Sequence, residues 1–160
     1  MRRSMITVAA LAVALIVVPA ASAKIHVQKS IAGIALERTA AAVIAKKGAP
    51  DADKIVPNEI LGQQRKMRYG KTRVYFAGTD DSATVIGLVT KSRGQRTNTG
   101  VGVGSTEADV VAAVRRVRCK TEFGFRHCFR GRFEPGRRVT DFAISGGGRV
   151  IRVTVGFVID

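Results

Sequence analysis

Arg118-Cys-Lys-Thr-Glu-Phe-Gly-Phe-Arg-His-Cys-Phe-Arg130 is the stretch from which the fold can be read. Two strand-like runs flank Phe123-Gly124, a dipeptide that suits a two-residue hairpin turn. Such a turn makes Glu122 and Phe125 a hydrogen-bonded pair. Counting back along both strands gives 121/126, 120/127 and 119/128, so Cys119 and Cys128 fall on a non-hydrogen-bonded pair. That is the closer spacing, about 4.5 Å between Cα atoms, and within disulfide reach. A nucleophilic Cys128 beside His127 is the rival use of the thiol. It fails on alternation, because adjacent strand residues point to opposite faces.

The period-two pattern extends outward from this hairpin. Arg138 to Ile144 and Arg149 to Phe157 read as strands joined at Gly146-Gly147-Gly148. Arg65 to Tyr69, Thr72 to Phe76 and Thr84 to Thr90 read the same way, with turns at Gly70-Lys71 and Gly78 to Asp81. Before each set the period changes. Thr106-Glu-Ala-Asp109 resembles a capping box opening a helix to about Arg116, with Val110, Val111 and Val114 on one face. An equivalent helix starts near Thr39 and stops at Gly48-Ala-Pro50. The expected class is α+β, with helices laid on antiparallel sheets.

Self-similarity supports a duplicated layout. Gly33 to Ala45 aligns without a gap on Gly100 to Ala112, with Gly33/Gly100, Thr39/Thr106, Ala41/Ala108 and Ala45/Ala112 identical. The expected organisation is a signal peptide over residues 1–23, a first unit over 24–97 and a second over 98–160. Each unit is small enough to be marginal alone, which predicts that the two pack together.

The start of the chain has the three parts of an export signal. Arg2 and Arg3 precede an apolar run from Met5 to Val18, and Ala21-Ser-Ala23 is a small-x-small cleavage site before Lys24. A membrane anchor is the competing reading, but the run falls short of the ~20 residues a spanning helix needs. Secretion or another extracytoplasmic location is therefore expected, where a disulfide persists. Lys24 stands where a lipoprotein would have its acylated cysteine.

The chain has 160 residues, 46% of them hydrophobic, with 27 basic and 12 acidic residues and a balance of +15. Loss of Arg2 and Arg3 with the signal lowers that to +13. This composition favours a folded chain over disorder. Two His and two Cys leave any metal site dependent on carboxylates, which show no ligand-like clustering, so no metal and no cofactor is expected. Gly100-Val-Gly-Val-Gly lacks the Lys-Ser/Thr ending of a phosphate loop and reads as a turn before a helix. No Ser/His/Asp set is identifiable, so the chain is read as non-enzymatic. The excess charge fits solubility, adhesion to an anionic envelope component, or, least readily for an exported protein, nucleic acid.

Arginine and aromatic residues supply most interface anchors. Arg126, Arg130, Arg132 and Arg138 with Phe125, Phe129 and Phe133 are therefore the candidate binding surface. The plainer alternative places the phenylalanines in the core and the arginines in water. The expected function is an exported binding protein. An inhibitor of an extracellular hydrolase and a small extracytoplasmic hydrolase are the other classes.

Ile31 to Val43 and Thr99 to Val111 share a helix opening of apolar residues, then Gly-x-Thr or a close variant, then x-x-x-Val. In this they resemble the beta-lactamase inhibitory protein family and the small helix-and-sheet lipoproteins of outer-membrane assembly. The resemblance implies a secreted tandem repeat of helical and antiparallel-strand units, with a cysteine pair in the second unit like Cys119 and Cys128. Departures limit what it implies about activity. This chain has no first-unit cysteines, no carboxylate at Gly70-Lys71 where that family has its key acid, no Trp, and only Tyr69 and Tyr75.

Overall fold

The computed structural model describes residues 24–159; the expected signal peptide, with Ala23 of the cleavage site, lies outside them. A short first segment forms β1 (Lys24–His26), β2 (Ser30–Ile31) and β3 (Ile34–Ala35), followed by α1 (Ala40–Lys47). Four strands come next: β4 (Ala52–Asn58), β5 (Gly62–Tyr69), β6 (Thr72–Ala77) and β7 (Thr84–Thr90). After β8 (Arg96–Thr97) and α2 (Glu107–Ala113) come four more: β9 (Arg118–Glu122), β10 (Phe125–Arg130), β11 (Arg138–Ile144) and β12 (Val150–Phe157).

Local chemistry sets the helix ends. The Thr39 hydroxyl accepts from the Ala42 amide at 3.2 Å, and Gly48 closes α1 at φ 80°. Thr106 and Asp109 complete a capping box, each side chain accepting from the other's backbone N–H at 3.1 and 2.8 Å. The hairpin register around the cysteines is the one counted from the turn. Phe125 opposes Glu122, and Cys128 opposes Cys119, with a disulfide between them at a Cα separation of 4.0 Å. Phe123 and Gly124 hold φ of 48° and 79°, as a type I′ turn requires.

The larger sheet has eight strands in the order β4-β5-β6-β7-β12-β11-β10-β9, and its neighbours are antiparallel. The two halves of the chain meet where β7 pairs with β12. Gly87 opposes Gly156 at that seam, and a Cβ on Gly156 would lie 3.0 Å from the Ile86 carbonyl oxygen. A side chain at Gly156 would have to push the β7 backbone aside by a few tenths of an ångström. One row of residues runs across the sheet through Thr72, Thr90, Val153, Phe142 and Cys128, all without exposure. That face carries the core. Ile25, Ile31 and Ile34 from the small sheet β3-β2-β1-β8 join it, with Val43 of α1 and Val110 of α2 in one continuous apolar cluster.

The α+β expectation is overturned. Among the described residues strand accounts for 50% and helix for 11%. The helices have eight and seven residues, and they bury only Ala40 and Val43, and Val110. They are too short to cover a sheet, so the protein is mostly β, and two helix-on-sheet units with separate sheets do not describe it. Two features account for the difference. α2 is shorter than its apolar run suggests, since Val111 is 56% exposed and the helix ends at Ala113, before the turn at Arg116 with φ 59°. Residues 24–35 and β4 add strands that no alternating pattern marks. β4 contains Pro57, which an edge strand tolerates because its outward N–H has no ladder partner.

Candidate functional site

The register that buries one face fixes what the other presents. The next row crosses all eight strands on the opposite face: Ala52, Arg68, Arg73, Val89, Thr154, Asp141, Phe129 and Arg118. Lys66 and Tyr75 lie beside it, with the Lys66 ammonium 5.9 Å from the Tyr75 ring centre. On the other flank, Arg152, Ala143, His127 and Lys120 continue across β12 to β9. No helix packs on this open face among the described residues; α1 and α2 bury their apolar side chains in the core cluster of the other one.

The aromatic end is built by β9, β10 and the loop after it. Phe129 and Phe133 meet edge to face with ring centres 4.8 Å apart, and the His127 ring lies 5.4 Å and 5.9 Å from them. Lys120 stands 5.4 Å and 5.3 Å from the two phenyl centres, and the Arg118 guanidinium lies 5.0 Å from Phe129. Cations over ring faces are attracted by the ring quadrupole. Phe133 folds over Phe129, which is why Phe129 is buried on a face that is otherwise open.

His127 and Asp141 are diagonal neighbours across β10 and β11, and Nδ1 lies 2.6 Å from Oδ1. The carboxylate can only accept, so the donated proton is on Nδ1 and the second ring nitrogen is Nε2. That atom is buried without a hydrogen-bond partner, 3.8 Å from Glu122 Oε2. Glu122 in turn pairs with Lys120 at 2.7 Å. Both acids of this end are thus occupied by basic neighbours. Among the described residues no hydroxyl or thiol lines the cavity beside His127.

Alternation separates the residues expected to act together. Phe125, His127 and Phe129 share the open face, while Arg126 and Arg130 lie with Cys128 on the core side, near the sheet edge. Arg126 forms an ion pair with Glu107 of α2, which holds the Glu107 carboxyl below its usual range. Arg138 pairs with Glu37, and its guanidinium lies 5.4 Å from the Phe157 ring. Arg132 extends into water, 3.8 Å from Glu134. Of the three phenylalanines in the expected set Phe125 is the most exposed, at 76%, against 45% for Phe133, while Phe129 is buried. Glu107 also lies within 4.8 Å of the two cysteine sulfurs, but those are joined as a disulfide and its carboxylate holds Arg126. The trio offers no free thiolate to a metal.

Sequence reading missed two groups. Phe123 is 92% exposed at the hairpin tip, in a left-handed conformation that Asn or Gly usually takes. Its place in the turn was the available signal. The second group is basic: Arg68, Lys71, Arg73 and Lys91 converge on a cleft of about 420 Å³. None of the four, nor Arg152, has a carboxylate within ion-pairing distance among the described residues. They come from β5, β6, β7 and the adjoining turns, and only the strand register brings them together.

No protein-family model matches the chain, and no curated protein matches it in sequence. A cysteine-rich secretory protein from Staphylococcus aureus subsp. aureus Mu50, known from a crystal structure, is similar over 76% of this chain at 7% identity and a TM-score of 0.43. The chain spans 44% of that structure's length. A likeness at this level carries no argument about fold or function. Among the described residues, no helix is long and apolar enough to cross a membrane.

Proposed function

We propose that this chain is an exported, non-catalytic binding protein whose open sheet face takes a partner with an acidic surface. One observation carries the reading. Basic side chains dominate the open face, Asp141 and Glu122 on it already have basic partners, and Arg68, Lys71, Arg73, Lys91 and Arg152 have no carboxylate partner among the described residues. A field of one sign steers an oppositely charged partner and sets its orientation. The disulfide suits an oxidising compartment and supports the extracytoplasmic part of the reading.

Capture with charge-reversed variants tests it. Purified protein on a matrix is exposed to culture supernatant and envelope extract, beside Arg68→Glu/Arg73→Glu and, as a control away from the face, Arg132→Glu/Arg137→Glu. The expected result is a retained species common to the native protein and the control and lost with the open-face variant. Equal capture by all three, or equal loss in both variants, overturns the reading.

A further inference from the structure

Lys91 follows β7 and lines two cavities at once. On one side is the basic cleft of Arg68, Lys71 and Arg73. On the other is a hollow of about 370 Å³ walled by Phe123, Phe125, Ile151 and Arg152, with His127 and its two acid neighbours Asp141 and Glu122, and reached from the core side by Arg126. Both belong to the same end of the open face, where β5 turns into β6, β7 ends and β12 begins. The two hollows adjoin at Lys91, and together they line this end of the face as a groove from β5 to β10, with the basic cluster at one end and the exposed Phe123, Phe125 and Ile151 at the other. It crosses six strands, and at the usual spacing of ~4.8 Å its length is about 24 Å, room for roughly seven residues of extended chain.

We propose that this groove binds an extended acidic segment of a protein partner, with one apolar side chain seated between Phe125 and Ile151. The segment's carboxylates then reach Lys91, Lys71 and Arg73. The inference rests on the open face being the binding surface, and it adds the chemical class and orientation of the partner. Charge complementarity selects an acidic ligand, and the bare apolar end selects a peptide over a simple polyanion. Ile151 is 52% exposed and sits at the irregularity between β11 and β12, where Ile144 faces Val150 and Ala143 faces Arg152. Such irregularities re-aim a side chain. Phe123 adds a phenyl ring at a backbone position costly for a bulky residue, an arrangement that persists where surroundings or function require it. A polyphosphate would leave these three apolar side chains in water.

Fluorescence anisotropy with labelled seven-residue peptides tests the proposal. The probe is six glutamates with one phenylalanine, made with the phenylalanine at either end. The comparison probes are the same peptides with serine for phenylalanine, inorganic polyphosphate, and phosphatidylglycerol vesicles. The expected result is at least tenfold tighter binding of one phenylalanine peptide than of its serine version. Phe125→Ala removes that difference, while Arg73→Ala weakens both peptides alike. Phe125 is largely exposed, so its variant keeps the fold, which circular dichroism checks. Equal affinity of phenylalanine and serine peptides, or displacement of the probe by polyphosphate or vesicles at equal affinity, overturns the proposal. In that event, loss of partner capture with Arg68→Glu/Arg73→Glu leaves the open-face reading standing, whereas unchanged capture removes both.

Discussion

Reduction of the Cys119–Cys128 bond is expected to lower the melting temperature sharply. The bond joins residues at a sequence separation of 9 and fastens β9, the outermost strand of the sheet, to β10. Without it the unfolded chain regains the freedom of a loop of about ten residues, which the loop-entropy relation puts at about 2.7 kcal/mol at 25 °C. A fold of this size has a total stability of about 5–15 kcal/mol, so the bond is a large share. The corresponding fall in melting temperature is on the order of 10 °C. Scanning calorimetry of oxidised protein and of protein held in phosphine reductant measures it, with mass spectrometry confirming the redox state. Cys119→Ala/Cys128→Ala should melt at or below the reduced protein, because Cys128 is fully buried beside Phe142 and its sulfur also fills core space. A reduced protein melting within ~2 °C of the oxidised one, a loss well under 1 kcal/mol, would show that the unfolded chain already holds the hairpin, and the entropic reasoning would fail.

Phe142→Ala empties the middle of the fully buried row and should cost about 3–5 kcal/mol in urea unfolding; a loss under ~1 kcal/mol would contradict the assignment of the core face. Acid should weaken the fold. The Arg126 pair lowers the Glu107 pKa, the Thr106 backbone N–H lowers that of Asp109, and the Ser82 hydroxyl lowers that of Asp80. Groups with depressed folded values stabilise above their unfolded values and lose that contribution as the pH falls. The urea midpoint should therefore hold steady at neutral pH and drop below about pH 4.5, less steeply in Glu107→Gln/Asp109→Asn. Phe123→Asn should raise stability by about 1 kcal/mol, since Asn accepts the left-handed turn conformation that Phe resists, and should weaken binding of the phenylalanine peptide.

What could be read from the sequence was local. Thr39 and Gly48 bound α1, and Thr106 with Asp109 opens α2, because caps are set by a few adjacent residues. The register of Cys119 on Cys128 followed from a two-residue turn, whose geometry leaves no freedom. The pairing of β7 with β12 is of another kind. It joins residues far apart in the chain through facing glycines, and neither glycine announces its partner. The helix layer was overestimated for a related reason. A short amphipathic run shows where a helix starts, but coverage of the core depended on the two-residue strands near Ile31 and Ile34, too short to produce a pattern. The candidate surface was half legible. Alternation along β10 already divides Phe125, His127 and Phe129 from Arg126 and Arg130, whereas the contact of His127 with Asp141 needs the β10–β11 register.

The central claim is that anions land on the open face, and an NMR titration of the isotope-labelled protein with polyglutamate tests it most directly. The account predicts shift changes concentrated on Arg68, Arg73, Lys91 and Arg152 and their strand neighbours, fading as salt rises because exposed charges are screened beyond about 8 Å at physiological ionic strength. Changes concentrated instead on Arg132 and Arg137, or spread evenly over both faces and the helices, would contradict it.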